Sequence, residues 1–166
     1  MKVEIRIPST IRAEAMKDLA RPHRFAFERV GFLATRTTLL GPDHHLVLVT
    51  GYHPVPDEHY IDDDSVGACI GGDAIRAAMQ RVIDEGNGQL HVHLHDHTGP
   101  TGPSSTDRKG LPPVVRSLAT VGPSQASGYF ILSSDSAWAE LRVPGVAEPV
   151  PATKITSVGF PLLFLK

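Results

Sequence analysis

The stretch that most constrains this 166-residue chain is Leu90-His91-Val92-His93-Leu94-His95-Asp96-His97, where histidine takes every second position. Side chains of a strand alternate between its faces with a period of two. A strand here therefore sets Leu90, Val92 and Leu94 on one face and the histidines on the other. Two imidazoles two residues apart on one face can converge on a single cation. After a loop rich in glycine and proline at 98–103, Ser104-Ser105-Thr106-Asp107 brings back a carboxylate. Two histidines, one carboxylate and one open position match a catalytic zinc site rather than a closed structural one. The competing reading is a stripe of polar surface histidines. The alternation alone would not beat it, and the added Ser-x-x-Asp favours the metal.

The distribution of charge agrees. Net charge is −2, but residues 1–50 carry +3, residues 51–110 carry −6 and residues 111–166 carry +1. Six of the nine histidines lie in the acidic stretch, and a local excess of carboxylate and imidazole is what a divalent cation site needs. Taken alone, Asp62-Asp63-Asp64 reads as a solvated acidic face. The overall balance lacks the basic excess of a nucleic-acid binder. A single cysteine, Cys69, excludes an intrachain disulfide. Apolar runs such as 160–165 are too short to cross a bilayer, and the alternating N-terminus has no signal-peptide block. A soluble cytoplasmic protein is expected. Eleven arginines against five lysines lean toward a GC-rich bacterial source.

Along the chain, Val3, Ile5 and Ile7 predict a strand, and Ser9 or Thr10 caps a helix carrying Ile11, Ala15 and Leu19 on one face. Residues 25–36 read as a strand, with Gly31 marking a bulge or a close approach to the backbone. A turn at 41–43 precedes a strand core at 46–49, and 53–70 reads as a long loop. The clearest helix is 74–84, with Ile75, Ala78, Met79 and Val82 at helical spacing. Residues 89–95 form a strand, and a helix starts near Ser104 or after Pro112-Pro113. A hairpin follows at 129–132 and 138–143, and one or two closing strands lie within 154–165. Interleaved helices and strands predict one domain, 1–166, of the α/β (α+β) class with a mixed sheet flanked by helices.

The His-x-His and Ser-x-x-Asp motifs resemble the signature of the JAMM (MPN-plus, JAB-domain) zinc metallo-isopeptidases. An earlier match lies in Glu28-Arg29-Val30-Gly31-Phe32-Leu33, which is similar to that family's Glu-x-x-Gly-x-Leu. Element order matches over roughly residues 9–145. The resemblance implies a cytidine-deaminase-like MPN/JAB domain of the bacterial type. The family carries proline after its second histidine, where this chain has Asp96 or Thr98. It also spaces that histidine about seven residues from the serine. His95 and His97 each miss that interval by one residue. We take His93 and His95, because a loop absorbs an extra residue easily.

On that resemblance His93, His95 and Asp107 hold Zn2+, with water in the fourth position. Glu28 acts as general base and Ser104 as oxyanion donor. The substrate is a peptide or isopeptide bond after the C-terminal tail of a ubiquitin-like protein, and 53–70 is a substrate-contacting insertion. Without the histidine motif Glu28 would read as a surface glutamate, and Ser104 reads equally as a helix cap. Two other functions compete: a catalytically silent binding scaffold, and a zinc hydrolase of small amides. Cys69 reads as a small core residue and Trp138 as packing.

Overall fold

Val3, Ile5 and Ile7 are buried, and they seat β1 (Lys2–Pro8) in the interior of the sheet. The computed structural model describes residues 1–165; Lys166, the last residue of the expected 1–166 domain, lies outside them. The chain continues through α1 (Ser9–Leu19), β2 (Val30–Gly41) and β3 (His44–Pro54). A short hairpin of β4 (Tyr60–Ile61) and β5 (Cys69–Ile70) precedes α2 (Gly72–Glu85) and β6 (Gly88–Leu94). Then come α3 (Ser105–Val121), β7 (Ser127–Leu132), β8 (Ala137–Arg142), β9 (Val150–Pro151), β10 (Lys154–Val158) and β11 (Leu163–Leu165). Nine strands form one mixed sheet in the order β11-β10-β1-β3-β2-β6-β7-β8-β9. The expected α+β architecture, a mixed sheet flanked by helices, is what is seen. Among the described residues no helix is long and apolar enough to cross a membrane.

Helices cover both faces of the sheet. Ala15 and Leu19 of α1 pack with Leu33, Leu90, Val92 and Phe130 in one core. Ala74, Ala78 and Val82 of α2 and Leu118 of α3 pack on Val30 and Phe32 across the other face. Strand β6 is thus sandwiched, and the histidine side of its alternation faces α2 and α3 rather than water.

Two elements depart from expectation, the strand at 25–36 and the loop at 53–70, while α3 takes the earlier of its two expected starts. The strand expected over 25–36 begins only at Val30 and runs on to Gly41. Residues before it spend their backbone donors elsewhere: the N–H groups of Phe25 and Ala26 reach the His23 ring, and those of Phe27 and Glu28 reach the Gly67 carbonyl. Glu28 therefore precedes the strand instead of sitting on it. The loop expected over 53–70 is largely tied down. Its β4–β5 hairpin is anchored by Tyr60, whose buried hydroxyl accepts the Val30 N–H at 2.7 Å. Helix α3 begins at Ser105, and Pro112 and Pro113 lie inside it, exposed, forgoing two helical hydrogen bonds. Gly31 is a place of close approach, as expected: a Cβ there would meet the Tyr52 ring at 2.3 Å.

Leu90 is fully buried between α1 and its sheet neighbours. Leu90→Ala is expected to lower unfolding free energy by about 2–5 kcal/mol through lost burial and a residual cavity. Urea denaturation measures it.

Candidate metal centre

The centre is assembled where β6 ends. Strand β2 pairs antiparallel with β6, and the ladder ends with Val30 opposite His93, so the chain two residues earlier, at Glu28, is brought near the end of β6. His91 and His93 lie within the strand, and His95 is the first residue beyond Leu94, its N–H held by the Leu132 carbonyl at 2.8 Å. The histidines are not a surface stripe: His91 is 5% exposed and His93 2%.

Asp107 arrives from the first turn of α3. Ser104 is the N-cap of that helix, and its Oγ accepts the Asp107 N–H at 3.1 Å. In return the Ser104 N–H donates to Asp107 Oδ2 at 2.7 Å. This capping box satisfies two of the free donors at the helix start. It also fixes the direction of the Asp107 carboxylate, whose Oδ1 lies 3.3 Å from His93 Nε2 and whose Oδ2 lies 3.5 Å from His95 Nε2.

The two ring nitrogens, His93 Nε2 and His95 Nε2, are 3.1 Å apart. Two imidazole nitrogens this close, facing one carboxylate, require a shared proton or a cation between them. Donors 2.0–2.1 Å from a tetrahedral zinc lie roughly 3.3–3.4 Å from one another, and the His93–His95 pair at 3.1 Å and the His93–Asp107 Oδ1 pair at 3.3 Å come near that value. His93, His95 and Asp107 thus form a group that can hold a metal ion. Behind it, the Thr101 hydroxyl meets His95 Nδ1 at 3.3 Å, the kind of outer contact that orients a ligating imidazole. His93 Nδ1 is buried with no such partner. His97 stays outside the group: it is exposed, and its Nδ1 pairs with the Thr98 carbonyl.

The electrostatics follow from burial and proximity. Burial works to raise the Asp107 pKa, but hydrogen bonding with His93 and Ser104 and the charge on His93 outweigh it. The carboxyl is held well below the usual carboxylate range. Burial lowers the His95 pKa, and the charge of His93 adds to that. Burial drives His91 down to about 3, with the charge of His93 acting in the same sense. His91 is therefore a neutral ring at ordinary pH, its edge against Phe32 and His93.

Glu28 lines one cavity with His93 and Asp107 of the metal group, together with Cys69, His91 and Asp63. Glu28 is half-buried and is packed against Gly67 so closely that a Cβ there would come within 2.8 Å of its carboxyl carbon. Next to it, the 3%-exposed Arg29 bonds the carbonyls of Arg21 and Pro22 and reaches Asp57 at 2.7 Å. The segment bearing Glu28 is thereby clamped from both sides. Ser104 does not line the cavity; its Oγ is engaged as the cap. Two residues near the centre were not assigned to it from sequence. Cys69, read as a core residue, lines the cavity, and Thr101 sits behind His95. Cys69 reaches the centre through folding of a distant segment, whereas Thr101, six residues from His95, sits in a loop with no pattern that marks it. Trp138 packs against Tyr129, as expected.

In comparisons with known proteins, no family model matches the chain and no curated protein matches it.

Metal analysis of the purified protein is expected to give one zinc per chain, lost in His93→Ala, His95→Ala and Asp107→Ala and kept in His97→Ala. Retention in His95→Ala with loss in His97→Ala would move the centre along the strand. A second expectation concerns acid. The folded pKa of His91 lies below its unfolded value of 6.5. The unfolded chain therefore takes up a proton as pH falls through 6.5, while the folded chain does not until about 3. Stability present at neutral pH is thus lost across that window. In the metal-free protein, Tm of wild type should fall from pH 7 to pH 4 more steeply than Tm of His91→Phe, which keeps a ring but cannot titrate. Parallel curves would show that His91 is not held neutral.

Proposed function

We propose that this protein is a zinc-dependent hydrolase of the JAMM type, cleaving a peptide or isopeptide bond after the C-terminal tail of a ubiquitin-like protein. The observation that carries the reading is the convergence of His93, His95 and Asp107 within hydrogen-bonding range of one another, beside a cavity that Glu28 also lines. Zinc held by those three side chains supplies a Lewis acid that polarises the scissile carbonyl and brings the acidity of a water near neutrality. Glu28 takes a proton from the attacking water as oxygen bonds to the carbonyl carbon. When the C–N bond breaks, Glu28 returns that proton to the leaving amine, so the products are a carboxylic acid and a free amine. Ser104, outside the cavity, acts through its cap: it accepts the Asp107 N–H and donates its own N–H to the carboxylate, which fixes the direction of Asp107. Arg29 is a positioning residue, holding the backbone beside Glu28.

The tail reading draws on the hairpin. Strand β5 pairs with β4 on one edge and with no other strand among the described residues, and its two residues line the cavity. An extended tail can add to that free edge through main-chain hydrogen bonds, the usual way a peptide extends a sheet.

Glu28→Gln tests the mechanism. It keeps side-chain shape but removes the proton acceptor. Zinc content and Tm should stay at wild-type values while turnover of a ubiquitin-like fusion falls by roughly two to four orders of magnitude. Loss of zinc would make Glu28 a ligand, and unchanged turnover would remove it from the reaction. Deleting the last residues of the ubiquitin-like tail should abolish cleavage. Equal cleavage of short unrelated peptides would instead favour a general peptidase.

A further inference from the structure

The two ends of the nine-stranded sheet are guarded differently. Strand β9 closes one end and finishes on Pro151, which has no N–H to offer a further strand. Strand β11 closes the other. It pairs with β10 on one side, with Thr156 opposite Phe164, and with no strand on its other side among the described residues. Charge and proline are common guards against strand addition, and Leu163-Phe164-Leu165 carries neither. Residues 155–165 hold no charged side chain at all. Three residues offer few hydrogen bonds, so apolar contact has to supply most of any association here.

The apolar surface is present. Phe160 is fully exposed, and Val158, Leu162, Leu163 and Phe164 are each between 41% and 53% exposed. Taking ~200 Å² for a whole phenylalanine side chain and somewhat less for the aliphatic ones, these five expose on the order of 500 Å². Patches of ~300–600 Å² are the largest that typical monomers show, and they are often functional. A two-fold axis that brings this patch to its counterpart removes on the order of 1,000 Å² from water, about the least that a specific interface needs. The paired backbones add to that area. So does the stem of Lys154, whose Nζ lies 5.0 Å from the centroid of the Phe164 ring.

Three occupants compete for this edge. A bilayer accepts the apolar side chains but leaves the N–H and C=O groups of the β11 edge unsatisfied. An extended peptide from another protein satisfies the edge but leaves Phe160, which precedes the strand, uncovered. A second copy of the chain does both, and it opposes no like charges along the seam. We propose that β11 is a dimerisation edge, where a second copy of this chain adds antiparallel across a two-fold axis and the nine strands of each copy join into one sheet. Four strands separate β11 from β6, so the dimer leaves the candidate metal centre uncovered and does not depend on the hydrolase reading.

Sedimentation velocity of the full chain, from about 1 to about 100 µM, tests the proposal. A species of twice the 17.9 kDa chain mass should dominate at the upper concentration. Phe160→Ser should weaken self-association by roughly tenfold. Leu162→Glu with Phe164→Glu sets like charges on both sides of the seam and should weaken it by roughly a hundredfold or more. These side chains are exposed, so far-UV circular dichroism and Tm of the dilute monomer should match wild type. Amide hydrogen exchange reads the edge itself. Amides of residues 163–165 that do not bond to β10 should gain protection as concentration rises, and the double variant should lose that gain. A wild-type chain that stays monomeric at about 100 µM overturns the proposal. So does a dimer that survives the double variant, or one whose β11 amides stay unprotected. A monomer that co-sediments with phosphatidylcholine–phosphatidylserine vesicles also overturns it and assigns the patch to a lipid surface.

Discussion

Strand β6 is covered on both faces, and its pairing with β2 sets the register of everything around it. Leu90 and Val92 are committed to the core beneath α1, so the alternation leaves His91 and His93 no position except under α2 and α3. A slip of one residue would exchange the two sets and bury imidazoles against α1. The same ladder, with Val30 opposite His93, brings the chain preceding β2 to the end of β6 and so delivers Glu28. Burial then sets the chemistry. Burial lowers the pKa of His95 and so favours its neutral ring, the form that binds a metal.

The Ser104–Asp107 capping box joins local folding to the site. The exchange of hydrogen bonds that starts α3 also aims the Asp107 carboxylate at two imidazole nitrogens. A helix start and a ligand are thus one structural unit, held in place by Leu111, Val115 and Leu118 packing further along the helix. The cost of burying the carboxylate is offset by hydrogen bonds at both oxygens, which is why Asp107 stays ionised in a half-dry site.

Opposite it, residues 20–29 owe their shape to Arg29. A buried guanidinium is tolerated only when its donors are satisfied, and two backbone carbonyls and Asp57 satisfy this one. That clamp, together with the Gly67 carbonyl accepting from Phe27 and Glu28, converts a segment of irregular backbone into a fixed edge of the cavity. The hairpin above is tied in turn through Tyr60 to the start of β2. Base, hairpin and cavity wall therefore depend on a few polar contacts rather than on a continuous ladder.

Glu28 was a candidate only through the family resemblance; the sequence by itself determined the period-two strand, the helix from the spacing of Ile75, Ala78, Met79 and Val82, the capping pattern at Ser104, and the candidates His93, His95 and Asp107. Each is a local pattern, legible because side-chain periodicity and cap chemistry act within a few residues. Tertiary structure decided which histidines converge. His93 and His95 face Asp107, whereas His97, identical in the pattern, falls past the strand end and turns outward. It also decided that the histidine face is buried, that Glu28 precedes its strand, and that Cys69 lines a cavity. None of these was legible, because each depends on contacts between segments tens of residues apart. Arg29 meets Asp57, Gly67 meets Glu28, and α3 folds back over β6. Periodicity tells a side chain which face it occupies, and only packing determines what lies against that face.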